Sequence, residues 1–430
     1  MNTVGVVGLG YVGLTLAVTL ARKGFTVHGM DVSPTVLDAL ARKRPHLFEP
    51  GVEEGLREFV GERIHVGPAL PRRALDAAII CVSTPVSPAT HAPQLDNLRA
   101  AARHVAETCA EGTLVVVRST VPVGASRSVV LPELAARWTT VRLAFAPERT
   151  IQGQALRELE ELPQVVGGLD AQSRDAAAAL FARVTPRVVP VSSLEAAELV
   201  KLVNNCHTDV IYSYGNEVAL MAERWRLDPL EVIRAANLDY PRPDLAKPGF
   251  VGGGCLSKDP YILESAARAA GAAPFLIGQA RALNERLPVH VAERLIALIR
   301  ETRGRAEGAE LAVLGWAYKG WPPTDDMRGA PIVPMLPLFR AAGLAIRGHD
   351  FLVAPEVIRE LGARPMTVDG AFDGADAVLV VTNHPEYAKL DLGRALAGLR
   401  RPAVIYDCWR LLDEETVRGA GVRYAGIGYG

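Results

Sequence analysis

Neither sign of charge is in excess in this sequence: Lys plus Arg number 47 and Asp plus Glu 48. A chain so balanced has no global field to draw nucleic acid or an anionic membrane, so any phosphate it binds must be held locally. Long apolar runs are also missing. None could span a bilayer, and Met1 leads straight into a buried-strand pattern instead of a charged segment with a cleavage site. The expectation is therefore a cytoplasmic protein with no membrane or nucleic-acid partner. Cysteine is scarce: Cys81, Cys109, Cys206, Cys255 and Cys408 are scattered without metal-type spacing. An odd count in a reducing compartment argues against a disulfide framework, and no metal site is expected, but one of the five can be a reactive thiol.

At 430 residues the chain fits two or three domains, each large enough for its own core. Short apolar runs at Val4 to Gly8, Phe25 to Asp31, Ala77 to Val82, Leu114 to Arg118 and Arg142 to Ala146 alternate with amphipathic stretches, which predicts a parallel, doubly wound sheet. Apolar residues at helical spacing then fill Leu194 to Trp225 and Phe275 to Arg300. After a charged stretch, apolar runs return at Leu311 to Gly315, Ala345 to His349, Ala377 to Thr382 and Ala403 to Asp407. The predicted fold is α/β, with a Rossmann-type domain over 1–192, a central helical domain with a long helix over 193–300, and a smaller Rossmann-like domain over 301–430. Long helices between two sheets supply a dimer seam in many proteins, and a homodimer through the central helices is expected.

Gly8-Leu9-Gly10-Tyr11-Val12-Gly13 follows a strand and opens a helical pattern. Gly8 permits a tight turn, Gly10 lets the backbone approach a pyrophosphate, and Gly13 lets helix and strand pack closely. Asp31 ends the next strand, where a carboxylate accepts hydrogen bonds from ribose hydroxyls and repels a 2′-phosphate. NAD is thus preferred to NADP.

Gly252-Gly253-Gly254-Cys255-Leu256-Ser257-Lys258-Asp259 is the other informative stretch. Three glycines let backbone and ligand approach, and Lys258 favours a thiolate. A free thiol titrates near about 8.5, so a nucleophile needs such a neighbour at neutral pH. Asp259 would share a helix face with Cys255 if the chain turned helical there. From the residues alone, a flexible loop with an incidental Cys explains the segment equally well.

These motifs resemble the UDP-glucose, UDP-N-acetylhexosamine and GDP-mannose dehydrogenase family. The likeness continues through Ser119 to Gly124, Pro147-Glu148-Arg149, Glu198 to Asn205 and Lys319 to Arg328, in order, over nearly the whole chain. It implies a four-electron oxidation of a nucleotide sugar at C6, with Cys255 forming a thiohemiacetal and then a thioester. Lys201 and Asn205, four apart and so on one helix face, match the family's oxyanion stabilisers. Asp259 matches an acid that positions water, and Glu148 a base for hydrolysis, a task suited to a buried carboxylate of raised pKa. Thr120 matches a residue near the nicotinamide and the catalytic water. The implied cofactor contacts are Gly8, Gly10, Tyr11, Val12, Gly13, Asp31, Thr84, Thr120 and Arg328. The implied substrate contacts are Glu148, Arg149, Lys201, Asn205, Arg242, Phe250, Gly252, Gly253 and Lys319, the last on the diphosphate.

The sugar is left open. Pro147-Glu148-Arg149 and Asp259-Pro260-Tyr261 resemble the UDP-N-acetylhexosamine branch, which commonly has His where Gly254 stands. Cys255 to Asp259 resembles the UDP-glucose and GDP-mannose branches, with Ser257 replacing Pro. Gln152 stands where some relatives have a second Glu, and Asp407-Cys408-Trp409-Arg410 lacks a frequent Asp-Gly-Arg. UDP-N-acetylmannosamine or UDP-N-acetylglucosamine is the expected substrate, UDP-glucose or GDP-mannose the alternative. A two-electron dehydrogenase and a non-catalytic nucleotide-sugar-binding protein are the readings from other classes.

Overall fold

A computed structural model describes residues 1–72, 75–241 and 244–430. The chain divides into two compact units, Met1–Asn205 with Lys258–Pro274, and Cys206–Ser257 with Phe275–Gly430.

The first unit holds an eight-stranded sheet: β1 Thr3–Val7, β2 Thr26–Met30, β3 Ile64–Gly67, β4 Ala77–Ile80, β5 Leu114–Val117, β6 Arg142–Phe145, β7 Gln164–Gly168 and β8 Val188–Pro190. Their order is β3-β2-β1-β4-β5-β6-β7-β8. The central strands are unbroken apolar runs such as Leu114-Val115-Val116-Val117, all buried, because helices cover both faces of a doubly wound sheet. The five predicted runs pair in parallel as expected, and the strands beyond them add one reversal. β7 runs antiparallel to β6, so the sheet is mixed and parallel only from β3 to β6 and between β7 and β8. β3, β7 and β8 were not among the predicted runs: β3 and β8 are short and part-exposed, and β7, Gln-Val-Val-Gly-Gly, is buried but has only two apolar side chains to signal it.

The second unit holds a six-stranded parallel sheet: β9 Glu310–Leu314, β10 Ala345–His349, β11 Arg364–Pro365, β12 Ala377–Val380, β13 Val404–Asp407 and β14 Arg423–Ala425, ordered β11-β10-β9-β12-β13-β14. Each sheet thus has a point where strand order reverses, at β1/β4 and at β9/β12. Ligands of such sheets bind outside the carboxyl ends of the strands at that reversal.

Helix Leu194–Trp225 is continuous for 32 residues, as its apolar spacing predicts, and gives its first turns to the first unit and the rest to the second. Helix Leu276–Arg303 ends at Gly304, whose φ of 81° is the left-handed conformation a glycine C-cap supplies. No helix among the described residues is long and apolar enough to cross a membrane.

Candidate active site

The glycine turn after β1 is built as its spacing requires. Gly8 has φ 92° and its N–H donates to the Met30 carbonyl at 2.8 Å, tying the turn to the end of β2. A Cβ on Gly13 would lie 1.8 Å from the Gly8 carbonyl oxygen, so helix Tyr11–Arg22 can approach β1 only if this residue is glycine. A Cβ on Gly10 would meet no protein atom within 4 Å. Gly10 is the N-cap, and the first-turn amides of a helix have no acceptor within it. The Leu9 N–H donates to Asp31 Oδ2 at 2.8 Å and the Ser33 N–H to Oδ1 at 2.9 Å, which fixes the carboxylate beside the turn. An open amide cradle flanked by a held acid fits the pyrophosphate and ribose of NAD.

Tyr11 begins that helix, beside half-buried Val12, and its hydroxyl donates to buried Glu49. The same carboxylate accepts from Gly153 N at 2.6 Å and Ala155 N at 2.7 Å. Burial and the adjacent Glu49 push the Tyr11 phenol far above its usual range, so it remains a donor. Glu49 was not singled out in the sequence. It joins the helix start to the segment after Pro147-Glu148-Arg149 across about a hundred positions, and no local pattern reports that.

The second group lies on the carboxyl side of β5 and β6. Arg118, which follows β5, is 2% exposed; its Nε and Nη2 donate to Glu148 Oε2 at 3.1 and 2.6 Å, and Nη1 donates to Ala146 O and Gln164 Oε1. The Glu148 Oε1 accepts from the backbone N–H groups of Arg149 and Thr150 at 2.7 and 2.8 Å. Burial alone would raise this carboxyl. Arg118, the Thr150 amide and the nearby Lys201 outweigh it and hold the group below its usual range. The expected raised pKa is therefore wrong: Glu148 is buried but fully ionised, because a cation and two amides accompany it. Arg149 turns its guanidinium to the Pro163 carbonyl.

Lys201 is buried and Asn205 partly so, on the same helix. The Asn205 Nδ2 donates to Asp259 Oδ2 at 2.5 Å and the Lys258 Nζ to Asp259 Oδ1 at 2.9 Å, leaving Asp259 with no exposed surface. Thr84 donates its hydroxyl to the Thr120 carbonyl, linking the ends of β4 and β5.

The third group is the thiol loop of the second unit. Of the five thiols four are buried, and Cys255 is exposed. It sits in a single helical turn, Gly253–Leu256, that stops at Ser257 before a new helix starts at Asp259. The condition for Cys255 and Asp259 to share a helix face, an unbroken helix between them, is therefore not met; the Ser257 hydroxyl donates to Gly253 O at 2.6 Å. Gly253 has φ 87° and a Cβ there would stand 2.8 Å from the Tyr318 ring, while one on Gly252 would stand 2.2 Å from Gly329 O. Phe250 packs on the core of this unit. The Arg328 guanidinium lies against Gly254, paired with Asp326 at 2.6 Å. Lys319 Nζ lies 5.5 Å from the Tyr318 ring centroid. Arg242 is outside the described residues.

Residues 2–185 match the NAD binding domain of the UDP-glucose/GDP-mannose dehydrogenase family, residues 195–286 its central domain and residues 312–414 its UDP binding domain. The chain belongs to this family. It is 31% identical to a UDP-N-acetyl-D-mannosamine dehydrogenase of Pyrococcus horikoshii over 99% of each chain, and a solved structure of the UDP-D-ManNAc dehydrogenase from that organism superposes with a TM-score of 0.88. An NDP-N-acetyl-D-galactosaminuronic acid dehydrogenase of Ralstonia nicotianae is 30% identical over 91% of this chain and 93% of its own. The UDP-glucose dehydrogenase structure from Pyrobaculum islandicum shares 28% identity over 100% of this chain and 98% of that one, with a TM-score of 0.85. The protein is an NAD-dependent nucleotide-sugar dehydrogenase.

Membership explains an internal repetition that no motif announces. In the second sheet Gly315, φ 89°, donates to the His349 carbonyl at 2.9 Å and Trp316 N–H to Asp350 Oδ2 at 2.6 Å, repeating Gly8, Met30, Leu9 and Asp31. Leu9 packs over Gly29 as Trp316 packs over Gly348. In this chain the segment matched to the UDP binding domain thus uses the same strand-end turn as the segment matched to the NAD binding domain. Arg410, near the altered Asp-Gly-Arg position, pairs with Asp228 at 3.2 Å and Glu414 at 2.9 Å and stacks on Tyr429.

Proposed function

We propose that this enzyme oxidises the C6 alcohol of a UDP-N-acetylhexosamine, UDP-N-acetylmannosamine first among them, to the uronic acid in two oxidations. The exposure of Cys255 in a glycine loop, where the other four thiols are all buried, carries the covalent part of this reading. The substrate assignment rests on the likeness to dehydrogenases of N-acetylated sugars along the whole chain.

NAD, when bound, accepts one hydride at each oxidation. The chain supplies the rest. Loss of a hydride from C6 and a proton from its hydroxyl leaves an aldehyde. The Cys255 sulfur adds to that carbonyl, because only a tetrahedral carbon can give up a second hydride, and the oxidised product is a thioester. Water then cleaves the C–S bond, releasing the carboxylate and restoring the thiol. Lys201 and Asn205 donate to the oxygen that becomes alkoxide-like in each tetrahedral species. Asp259, held by Asn205 and Lys258, orients those donors and the water, and Thr120 would stand near the nicotinamide and the water. Glu148, an ionised acid, serves the water step through its charge and through Lys201. Gly8, Gly10, Tyr11, Val12, Gly13, Asp31, Thr84, Thr120 and Arg328 would hold NAD, and Glu148, Arg149, Lys201, Asn205, Arg242, Phe250, Gly252, Gly253 and Lys319 would hold the sugar nucleotide. The functional segments are 1–192 for NAD, 193–300 for the central helices and 301–430 for the nucleotide.

We also propose a homodimer. Ile211, Tyr214, Met221 and Trp225 line one face of the long helix at helical spacing and are 40, 52, 43 and 68% exposed, an apolar stripe of the kind that marks a protein interface. A requirement for NAD and five free thiols suit work in the cytoplasm, on precursors of polysaccharide.

The test is NADH formed per sugar consumed, with excess NAD and limiting UDP-N-acetylmannosamine, UDP-N-acetylglucosamine, UDP-glucose or GDP-mannose. Two per sugar with an N-acetylated substrate is expected. Turnover of UDP-glucose alone would favour the second reading, which the Pyrobaculum likeness supports. One per sugar sinks the thioester route, and none with any sugar leaves a binding protein.

A further inference from the structure

Beneath the thiol loop, four polar side chains form one buried network that the chemistry above does not use. Asp209 and Arg281 have side chains 1 and 2% exposed, and Asn216 and Asn284 are 0 and 2% exposed. Asp209 and Asn216 are seven apart on helix Leu194–Trp225 and Arg281 and Asn284 three apart on helix Leu276–Arg303, so each pair shares a helix face. Arg281 Nη1 donates to Asp209 Oδ1 at 2.8 Å, and Asn284 Nδ2 donates to the same oxygen at 3.0 Å and to the Asp209 carbonyl at 2.9 Å. Asn216 Nδ2 donates to Asn284 Oδ1 at 2.9 Å.

Arg281 Nε also lies 3.5 Å from the Glu285 carboxylate, and further hydrogen bonds of Asn216 and Arg281 go to the thiol loop. Asn216 takes the Gly249 N–H at 2.8 Å and donates to the Gly249 carbonyl at 3.0 Å. Arg281 donates from Nη2 to Val251 O at 3.2 Å and from Nη1 to Leu256 O at 2.9 Å. The two arms of one planar fork therefore grip the backbone on either side of Cys255. Trp409 closes on the loop from another direction: a Cβ on Gly249 would lie 2.5 Å from its indole.

A buried ion pair is weak evidence for stability, since apolar residues of similar volume serve a core as well or better. What apolar residues cannot do is hold two carbonyls at set directions, and the guanidinium fork does that because it is planar and always charged. We propose that Arg281 is a positioning residue for the reaction: its fork sets the attack direction of the Cys255 sulfur, and Asp209, Asn284 and Asn216 fix the fork. The proposal rests on the reading of Cys255 as the nucleophile. Only the step in which sulfur bonds to carbon needs that direction, so the first oxidation is insensitive to Arg281 and the second is not.

The experiment is single-turnover stopped flow of NADH formation with a UDP-N-acetylhexosamine, with free aldehyde trapped by hydroxylamine. It compares the wild type, Arg281→Lys, Arg281→Met, Asp209→Leu combined with Arg281→Met, and Cys255→Ala. The double variant removes both charges together and so keeps the test available where the single Met variant does not fold. In it the first NADH forms within about tenfold of the wild-type rate while the second slows by about a hundredfold, the scale of an ångström-sized misplacement. Trapped aldehyde rises and NADH per sugar falls from two toward one, with Arg281→Lys in between. A merely structural network would lower the amount of active enzyme and slow both phases alike with two NADH retained, and that result overturns the proposal. Cys255→Ala separates the two claims. If it still yields two NADH per sugar the nucleophile reading fails; if it stops at one while the Arg281 variants keep two, only the positioning role fails.

Discussion

Replacing Arg118 by Met removes a guanidinium that donates to Glu148, Ala146 O and Gln164 and leaves the Glu148 carboxylate buried with the Arg149 and Thr150 amides and the more distant charge of Lys201. Stranding one partner of a buried ion pair costs about 3–5 kcal/mol. For a unit of this size that lowers the unfolding temperature by roughly 6–20 °C. The cost depends on pH in a defined sense. In the wild type the folded Glu148 carboxyl titrates below its unfolded value, so its contribution is present above the unfolded pKa and is lost as pH falls through the folded one. In Arg118→Met, burial prevails and the folded value lies above the unfolded one, so the variant regains stability as pH falls. The penalty at pH 4 is accordingly smaller than at pH 7 by at least about 1 kcal/mol, the equivalent of roughly one pKa unit. Hydrogen exchange in peptides covering β5 and β6, run at both pH values with urea, measures both quantities. A loss under about 1 kcal/mol at pH 7, the worth of an exposed pair, or an equal loss at both pH values would refute the reasoning.

The glycine turn offers a paired test. Gly13→Ala drives a methyl into the Gly8 carbonyl and should cost more than the about 1–3 kcal/mol of ordinary overpacking, read as loss of soluble folded protein, whereas Gly10→Ala meets no protein atom. The second variant should melt within about 0.5 kcal/mol of wild type and raise the KM for NAD about tenfold or more; an unchanged KM would separate Gly10 from the cofactor. Tyr214→Glu or Met221→Glu on the exposed stripe should convert a dimer to monomers in size-exclusion chromatography with light scattering, and a wild type that is already monomeric would end the dimer proposal.

Much of the site was legible because its constraints are local. The glycine turn requires Gly8, Gly10 and Gly13 at fixed offsets from one strand end, and Asp31 closes the next strand, so adjacent residues carry the whole device. The four-residue spacing of Lys201 and Asn205 puts them on one helix face, but their role came from the family resemblance and not from that spacing. The thiol loop was visible in its glycines, although its break at Ser257 was not: whether four residues continue as helix depends on what packs around them.

The protonation of Glu148 was not legible, nor was the network under Cys255. A carboxylate's burial and its partner are separate facts, and Arg118 stands 30 positions away, Asp209 72 from Arg281. Nothing in local spacing pairs such residues, because the pairing is made by the sheet that sets the ends of β5 and β6 side by side and by the packing of two long helices. Composition, strand and helix periods and the glycine turn determined the fold class and the cofactor type, and the family resemblance of the thiol loop supplied the expected chemistry. The tertiary structure alone decided which charges are neutralised and how the reactive loop is held, since both follow from contacts between segments distant in the chain.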